Sequence, residues 1–303
     1  MFSLPISLLL VITVATSFLT SFLRGGFTKN TSSRNVDLMR YNFLQNTVCT
    51  LAIAVLFLIS GGLGNFGAFS IIMGVLMGFT VAFSIQFNIQ AYTVGPFSYT
   101  TVIVALGAVI PTLSGPLFFG DAPLSLAQWL GIALMIVCII LSPDKSKNDG
   151  SKANAKWLLL SISASVINGL IGIIQKAHQT NEAAKDEMPA LLISCFLTAS
   201  LISGIIYLKE KRKAKDETTD VPLKKLIALP IITGVVFAFP HSLNLWLAGA
   251  LPTAVMFPVV NLCPMMLTMI SAVVIFKEKL SKSRWIGIAV GIASTVLVSG
   301  VIG

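Results

Sequence analysis

The sequence predicts an all-α integral membrane protein with ten transmembrane helices. Three observations predict it. Of the 303 residues, 55% are hydrophobic and only 11% charged, whereas soluble globular chains are about a quarter charged. The apolar residues gather into runs long enough to cross a hydrocarbon core of about 30 Å as helices. The basic residues fall almost entirely into alternate connections between those runs.

The runs cover 3–23, 41–60, 68–92, 97–119, 124–141, 157–175, 189–208, 226–248, 253–276 and 283–301. Helices are required because the bilayer core offers no water to backbone groups, and no run shows the period-2 alternation of a membrane barrel. The first lacks the basic n-region and small-residue cleavage site of a signal peptide, so it reads as a retained span. The third carries three amides in FSIQFNIQAY, 83–92. The fourth has a seam of small residues, Ser98, Thr101, Ala105, Ala108 and Thr112, at spacings that let helix backbones approach closely. The fifth ends at a polar segment, SPDKSKNDGSKANAK, and the sixth bears a polar stripe. The seventh runs into the basic loop KEKRKAKDETTDVPLKK; the eighth and ninth contain Pro240 and Pro264; the tenth closes the chain with Gly287 and Gly291 as GxxxG. Cys49, Cys138, Cys195 and Cys263 fall singly in four spans without CxxC spacing. They read as small packing residues, with no disulfide and no metal site.

Numbering loops by the spans they join, the first, fifth, seventh and ninth hold all but two of the 21 basic residues. The other two, Lys176 and Lys185, lie in the sixth. Basic residues of short loops stay cytoplasmic, so the odd loops are expected on the cytoplasmic face of the plasma membrane and both termini outside. A formal net charge of +9 is thereby accounted for by topology. The basic residues are spread over one membrane face with few aromatics among them, which argues against a nucleic-acid partner.

The polar segment divides the chain into a first repeat, 1–143, a linker, 144–156, and a second repeat, 157–303. The two repeats end alike. In FFGDAPLSLAQWLGIAL and IFKEKLSKSRWIGIAV, Phe119 aligns with Phe276, Asp121 with Glu278, Leu124 with Leu280, Ser125 with Ser281, Trp129 with Trp285 and Gly131 with Gly287. Five spans is an odd number, so the second copy runs upside down relative to the first, the plan of many secondary transporters. Asp121 and Glu278, each beside a helix start, read as caps that favour the positive dipole end.

These closing hairpins, an acidic residue at a span end followed by Leu and a helix opening with Trp and Gly, resemble those of the drug/metabolite transporter superfamily, EamA-like branch. Pro264, fourteen residues before Glu278, is similar to the proline that usually precedes that acidic residue. The resemblance implies a basket of helices around a central cavity that moves small organic solutes by alternating access. Asp121 stands where the family more often has Glu, and the charge bias puts the termini outside where members are usually described with both inside.

Polar groups within the spans mark the candidate solute ligands. Gln86 and Gln90 are four apart and share a helix face, whereas Asn88 points away from them and is expected to hydrogen-bond a neighbouring helix. An unpaired amide in an apolar medium costs several kcal/mol, so each must face a partner or a wet cavity. In the eighth span His241 and Asn244 share a face with Trp246 nearby, and Pro240 is expected to break the backbone ladder just before them. The sixth span carries Ser161, Ser165, Asn168, Gly172 and Gln175 at spacings of four and three; Thr13, Ser17 and Thr20 draw a weaker stripe on the first, and Asn261 precedes Pro264 in the ninth. The substrate-binding candidates are therefore Gln86, Gln90, Asn168, Gln175, His241, Asn244, Trp246 and Asn261, with interhelical hydrogen bonding as the competing reading of each. Tyr92 and Tyr99 add aromatic faces.

No Asp, Glu, Lys or Arg lies well inside a predicted span, which suits a neutral, hydroxylated or zwitterionic solute. His241 is the one mid-span group whose ordinary pKa allows proton coupling near neutral pH. His178, beside Lys176 in the sixth loop, is expected at a solvated rim. No cofactor is implied, and GxxxxGK[ST] is absent, so energy must come from a gradient or from exchange. An intramembrane enzyme would need a nucleophile with its base, a carboxylate pair or a metal cluster, and the sequence offers none of these. The reading is a permease for a small neutral or zwitterionic metabolite, with a coupling proton or ion and a homodimer both compatible. Efflux of apolar drug-like compounds, sugar or amino-acid uptake, and a non-transporting membrane scaffold are the alternatives.

Overall fold

The computed structural model describes residues 4–30, 35–94, 100, 103–141, 155–213, 223–276 and 282–298. Among them are ten α-helices and no strand. The helices are α1 (Ile6–Asn30), α2 (Asn35–Ser60), α3 (Ala68–Val94), α4 (Val109–Phe118), α5 (Leu126–Leu141), α6 (Ala155–Gln179), α7 (Met188–Lys213), α8 (Leu223–Ala250), α9 (Thr253–Phe276) and α10 (Lys282–Val298). Six of them, α1, α2, α3, α6, α7 and α8, are long and apolar enough to cross a membrane, and the other four supply shorter apolar stretches.

The fourth helix differs from expectation. A continuous span over 97–119 is predicted, but a 3-10 turn at Leu106–Ala108 precedes α4. Pro111 explains the change: it has no N–H to give the carbonyl of Gly107, four residues back, and its ring crowds that position. A tighter turn accommodates both effects.

The chain forms two compact units, each drawing on both halves of the sequence. One comprises Met1–Ala82 and Asn181–Trp246, the other Phe83–Thr180 and Leu247–Gly303. Two of the three boundaries fall inside α3 and α8, and the third lies between α6 and α7.

In the first unit α2 packs along α7. Thr47 and Ser200 share a hydroxyl hydrogen bond of 2.6 Å, and Asn46 Nδ2 donates to Ser203 Oγ at 3.1 Å. Two glycines set α3 against α7: a Cβ on Gly74 would stand 2.5 Å from the Leu191 carbonyl oxygen, and one on Gly78 2.5 Å from that of Cys195. Gly234 makes the matching approach of α8 to α2, where a Cβ would lie 2.8 Å from the Gln45 carbonyl oxygen. Tyr41 Oη donates to Thr233 Oγ1 at 2.8 Å in the same seam. Arg24 Nη2 donates to Asn42 Oδ1 at 2.8 Å, tying α1 to α2. Glu187, in the turn before α7, accepts the Gly67 N–H and the Ser70 hydroxyl and so caps the start of α3.

The second unit repeats the device with other helices. α5 packs along α10, where Ser294 Oγ donates to the Gly131 carbonyl at 2.7 Å and a Cβ on Gly131 would meet Val298. Gly107 of the 3-10 turn and Gly169 of α6 face one another, and Gly172 admits Pro111 and Phe257. Ala108, Met135, Leu262, Met265 and Met266 form a buried apolar cluster. Ala91, Trp157 and Leu160 form another, and Trp157 Nε1 donates to Thr100 Oγ1 at 2.8 Å. Of the predicted small-residue seam, Ala108 and Thr112 are buried, while Ser98 and Thr101 lie outside the described residues.

Gly74→Leu is expected to destabilise the protein by about 1 to 3 kcal/mol, because extra carbon in a close-packed contact forces backbone shifts. A lowered melting temperature in detergent, set against a much smaller change for Ile72→Ala on the exposed side of the same helix, checks it.

Candidate functional site

One turn of α8 collects polar atoms that have no hydrogen-bond partner among the described residues. Pro240 removes one rung of the helix ladder, but α8 continues unbroken to Ala250, so the expected break is only a missing hydrogen bond. The neighbouring rungs and the packing of α8 hold the helix together. Directly after it, His241 Nδ1, Ser242 Oγ and Asn244 Oδ1 are buried without a hydrogen-bond partner among the described residues. Buried polar atoms are nearly always paired, so three orphans in four residues call for an explanation such as water or a ligand.

The surroundings of that turn are aromatic. The His241 ring meets Phe237 edge-on with centroids 4.2 Å apart, and Phe196 of α7 at 4.8 Å. Phe196 and Phe237 are themselves edge-on at 5.8 Å, an arrangement that suits ring quadrupoles. Trp246 is partly buried two residues beyond Asn244. His241, Asn244 and Trp246 are thus three candidates on adjacent turns of the first unit. On α2 of that unit, Gln45 Nε2 is also buried without a partner among the described residues. Nothing in the sequence distinguishes Gln45 from Asn42 and Asn46, which are hydrogen-bonded.

The remaining candidates lie in the second unit. Gln86 is partly buried and Gln90 exposed at the end of α3. Asn88 Oδ1 is buried without a partner among the described residues. Its neighbours Phe87 and Ala91 pack in the apolar cluster around Trp157 and Leu160, which leaves an amide there little to bond. On α6 Asn168 is partly buried and Gln175 is 4% exposed. Much of the α6 stripe is used in packing: Ser161 Oγ bonds the Trp157 carbonyl at 2.9 Å, and Gly172 lies against α4 and α9. Asn261 Nδ2 donates to the Phe257 carbonyl at 2.8 Å within α9, so one of its two amide N–H groups is taken up by its own helix. Thr13 and Thr20 of the α1 stripe likewise bond carbonyls four residues back. The Tyr92 side chain and Tyr99 lie outside the described residues.

Two charged positions depart from expectation. Lys176 and His178, predicted at the rim in the sixth loop, are 4% and 0% exposed, because α6 runs on through Gln179 and takes them into its last turn. His178 Nδ1 lies 3.1 Å from Gln179 Nε2. Lys176 Nζ forms an ion pair of 3.2 Å with Asp121 and donates to the Leu251 carbonyl at 3.2 Å. Asp121 does cap a helix, but not the one that follows it in sequence: its Oδ2 accepts the Thr253 N–H at 2.8 Å, at the start of α9. Glu278 lies outside the described residues. Among the described residues no three His, Cys, Asp or Glu side chains are placed to hold a metal ion.

Among curated proteins none matches the chain. A crystal structure of another protein superposes with a TM-score of 0.67 at 15% identity, covering 96% of this chain and 98% of that one, which establishes a shared fold. Residues 155–300, the stretch from α6 to α10, match the EamA-like transporter family. With six membrane-length apolar helices, the chain is a multi-pass membrane protein, and this match places it in the drug/metabolite transporter superfamily.

Proposed function

We propose that the protein is a secondary transporter that moves a small neutral or zwitterionic organic solute across the plasma membrane by alternating access. The observation that carries this reading is the turn of α8 in which His241, Ser242 and Asn244 each bury an unpartnered polar atom. In hydrocarbon surroundings such atoms cost several kcal/mol each if left dry, and a permeating solute with donor groups satisfies them. The adjoining rings of Phe196 and Phe237 offer an apolar face to the same solute. Gln86, Gln90, Asn168, Gln175, Trp246 and Asn261 are the further candidate ligands, with Gln86 and Gln90 ranked above Asn261, whose amide nitrogen is already engaged.

Ten spans in two inverted repeats, 1–143 and 157–303, joined by 144–156, support the cycle. Helix contacts within each unit support the repeat. α2 packs with α7, α4 with α9 and α5 with α10, each pair five apart in order. The glycine contacts of α3 on α7 are matched by that of α8 on α2. Five spans per copy invert the second copy, so each copy can present the opposite face in turn. The odd loops are assigned to the cytoplasmic side from their basic residues.

Purified protein screened for thermal stabilisation by sugars, amino acids, nucleosides and quaternary amines tests the reading. A ligand at a hundredfold excess over its dissociation constant adds about 2.7 kcal/mol to the folded state. One class is expected to stabilise the wild type and not Asn244→Ala. A flat response to every class would contradict a polar solute and favour efflux of apolar compounds. For the proton step, His241→Gln is expected to flatten the pH dependence of flux. A retained profile would remove His241 from that role.

A further inference from the structure

We propose that Asp121 and Lys176, with the α8–α9 turn, form a releasable lock on the even-loop ends of α4, α6 and α9, one that parts during each transport cycle. The lock rests on the transport reading.

Its geometry begins at the end of α4. Gly120 adopts a φ of +69°, and the Asp121 N–H returns to the Gly115 carbonyl at 3.3 Å, which folds the Asp121 carboxylate back over the helix end. Its two oxygens then do separate work. Oδ2 accepts the Thr253 N–H at 2.8 Å, and Oδ1 meets Lys176 Nζ at 3.2 Å. Lys176 also holds the Leu251 carbonyl at 3.2 Å, and Thr253 Oγ1 donates to the Thr112 carbonyl at 3.3 Å. Three helix ends and one turn are therefore joined through two charged side chains that are 13% and 5% exposed.

Capping alone does not call for this arrangement. In the first unit Glu187 caps α3 through the Gly67 N–H and the Ser70 hydroxyl, a carboxylate with neutral donors. Lys176 adds a buried ammonium, and burying an ion pair is weak as a source of stability because desolvation offsets the attraction. What the pair supplies is ease of parting. When the ends separate beside water both ions regain hydration, whereas parted apolar surfaces are exposed at a loss. Apart from the Thr112 carbonyl, whose rung Pro116 cannot fill, every linked group lies at a helix terminus or in a turn, so release requires no helix to unwind.

The test uses Thr112→Cys in a background with Cys49, Cys138, Cys195 and Cys263 replaced. Thr112 is 1% exposed beneath the lock. A membrane-impermeant methanethiosulfonate reagent is applied to protein in nanodiscs, where both faces are accessible. Moving an open state from about 1% to about 10% of molecules raises the labelling rate about tenfold. Lys176→Met is expected to give such a rise with unchanged helicity and gel-filtration behaviour, and Lys176→Arg to stay near the parent rate. Gly115→Ala offers a second route, since a Cβ there would collide with Thr253 Oγ1 and stand 2.5 Å from Asp121 Oδ2; it too should raise labelling. If Lys176→Met does not fold, Gly115→Ala decides the matter. An unchanged rate in the folded variants, accompanied by a lowered melting temperature, would make the pair a static staple and overturn the proposal. Labelling needs no solute, so that result leaves the solute screen untouched, and a flat screen bears on the transport reading alone.

Discussion

The structure depends on close backbone contact between helices in a solvent that gives apolar surfaces no reason to associate. Lipid is as apolar as leucine, so helices adhere through dispersion and interhelical hydrogen bonds, both of which need short distances. Glycine supplies those distances at Gly74 and Gly78 on α3, Gly234 on α8 and Gly131 on α5. Hydroxyls complete the seams, as in Thr47 with Ser200 and Ser294 with the Gly131 carbonyl. Each contact is made by residues too small to leave a polar group stranded. Among the described residues that economy is broken most densely in the α8 turn at 241–244.

Most of the fold was legible because the bilayer restricts the possibilities. Apolar run length and the parity of basic loops locate helices without any knowledge of their packing. The predicted 253–276 coincides with α9, and 68–92 falls two residues short of α3. The failures have local causes. The fourth run hides a 3-10 turn because hydropathy does not register the N–H that Pro111 lacks. The sixth ends early because Lys176 and His178 look soluble, whereas α6 buries both. The signal was present: the α6 polar spacing continues from Gln175 toward Gln179 at a helical interval.

The candidate site was legible as chemistry and obscure as partnership. An amide in an apolar run must be explained, but a sequence does not reveal which amides find bonds. Asn261 finds one on its own helix, Thr13 and Thr20 likewise, and Asn88 and Asn244 leave oxygens without a partner among the described residues. Asp121 illustrates the same limit, for its role as a cap was readable while the helix it caps begins 132 residues later. Partners set by tertiary contact lie beyond any local pattern.

The central claim is that the orphaned atoms of α8 serve a solute. A cryo-electron microscopy map of the protein in nanodiscs, at a resolution that reveals ordered water, tests it most directly. The account predicts non-protein density, water or solute, within hydrogen-bond reach of His241 Nδ1 and Asn244 Oδ1. A dry turn, with those atoms bonded instead to neighbouring helices, would contradict it.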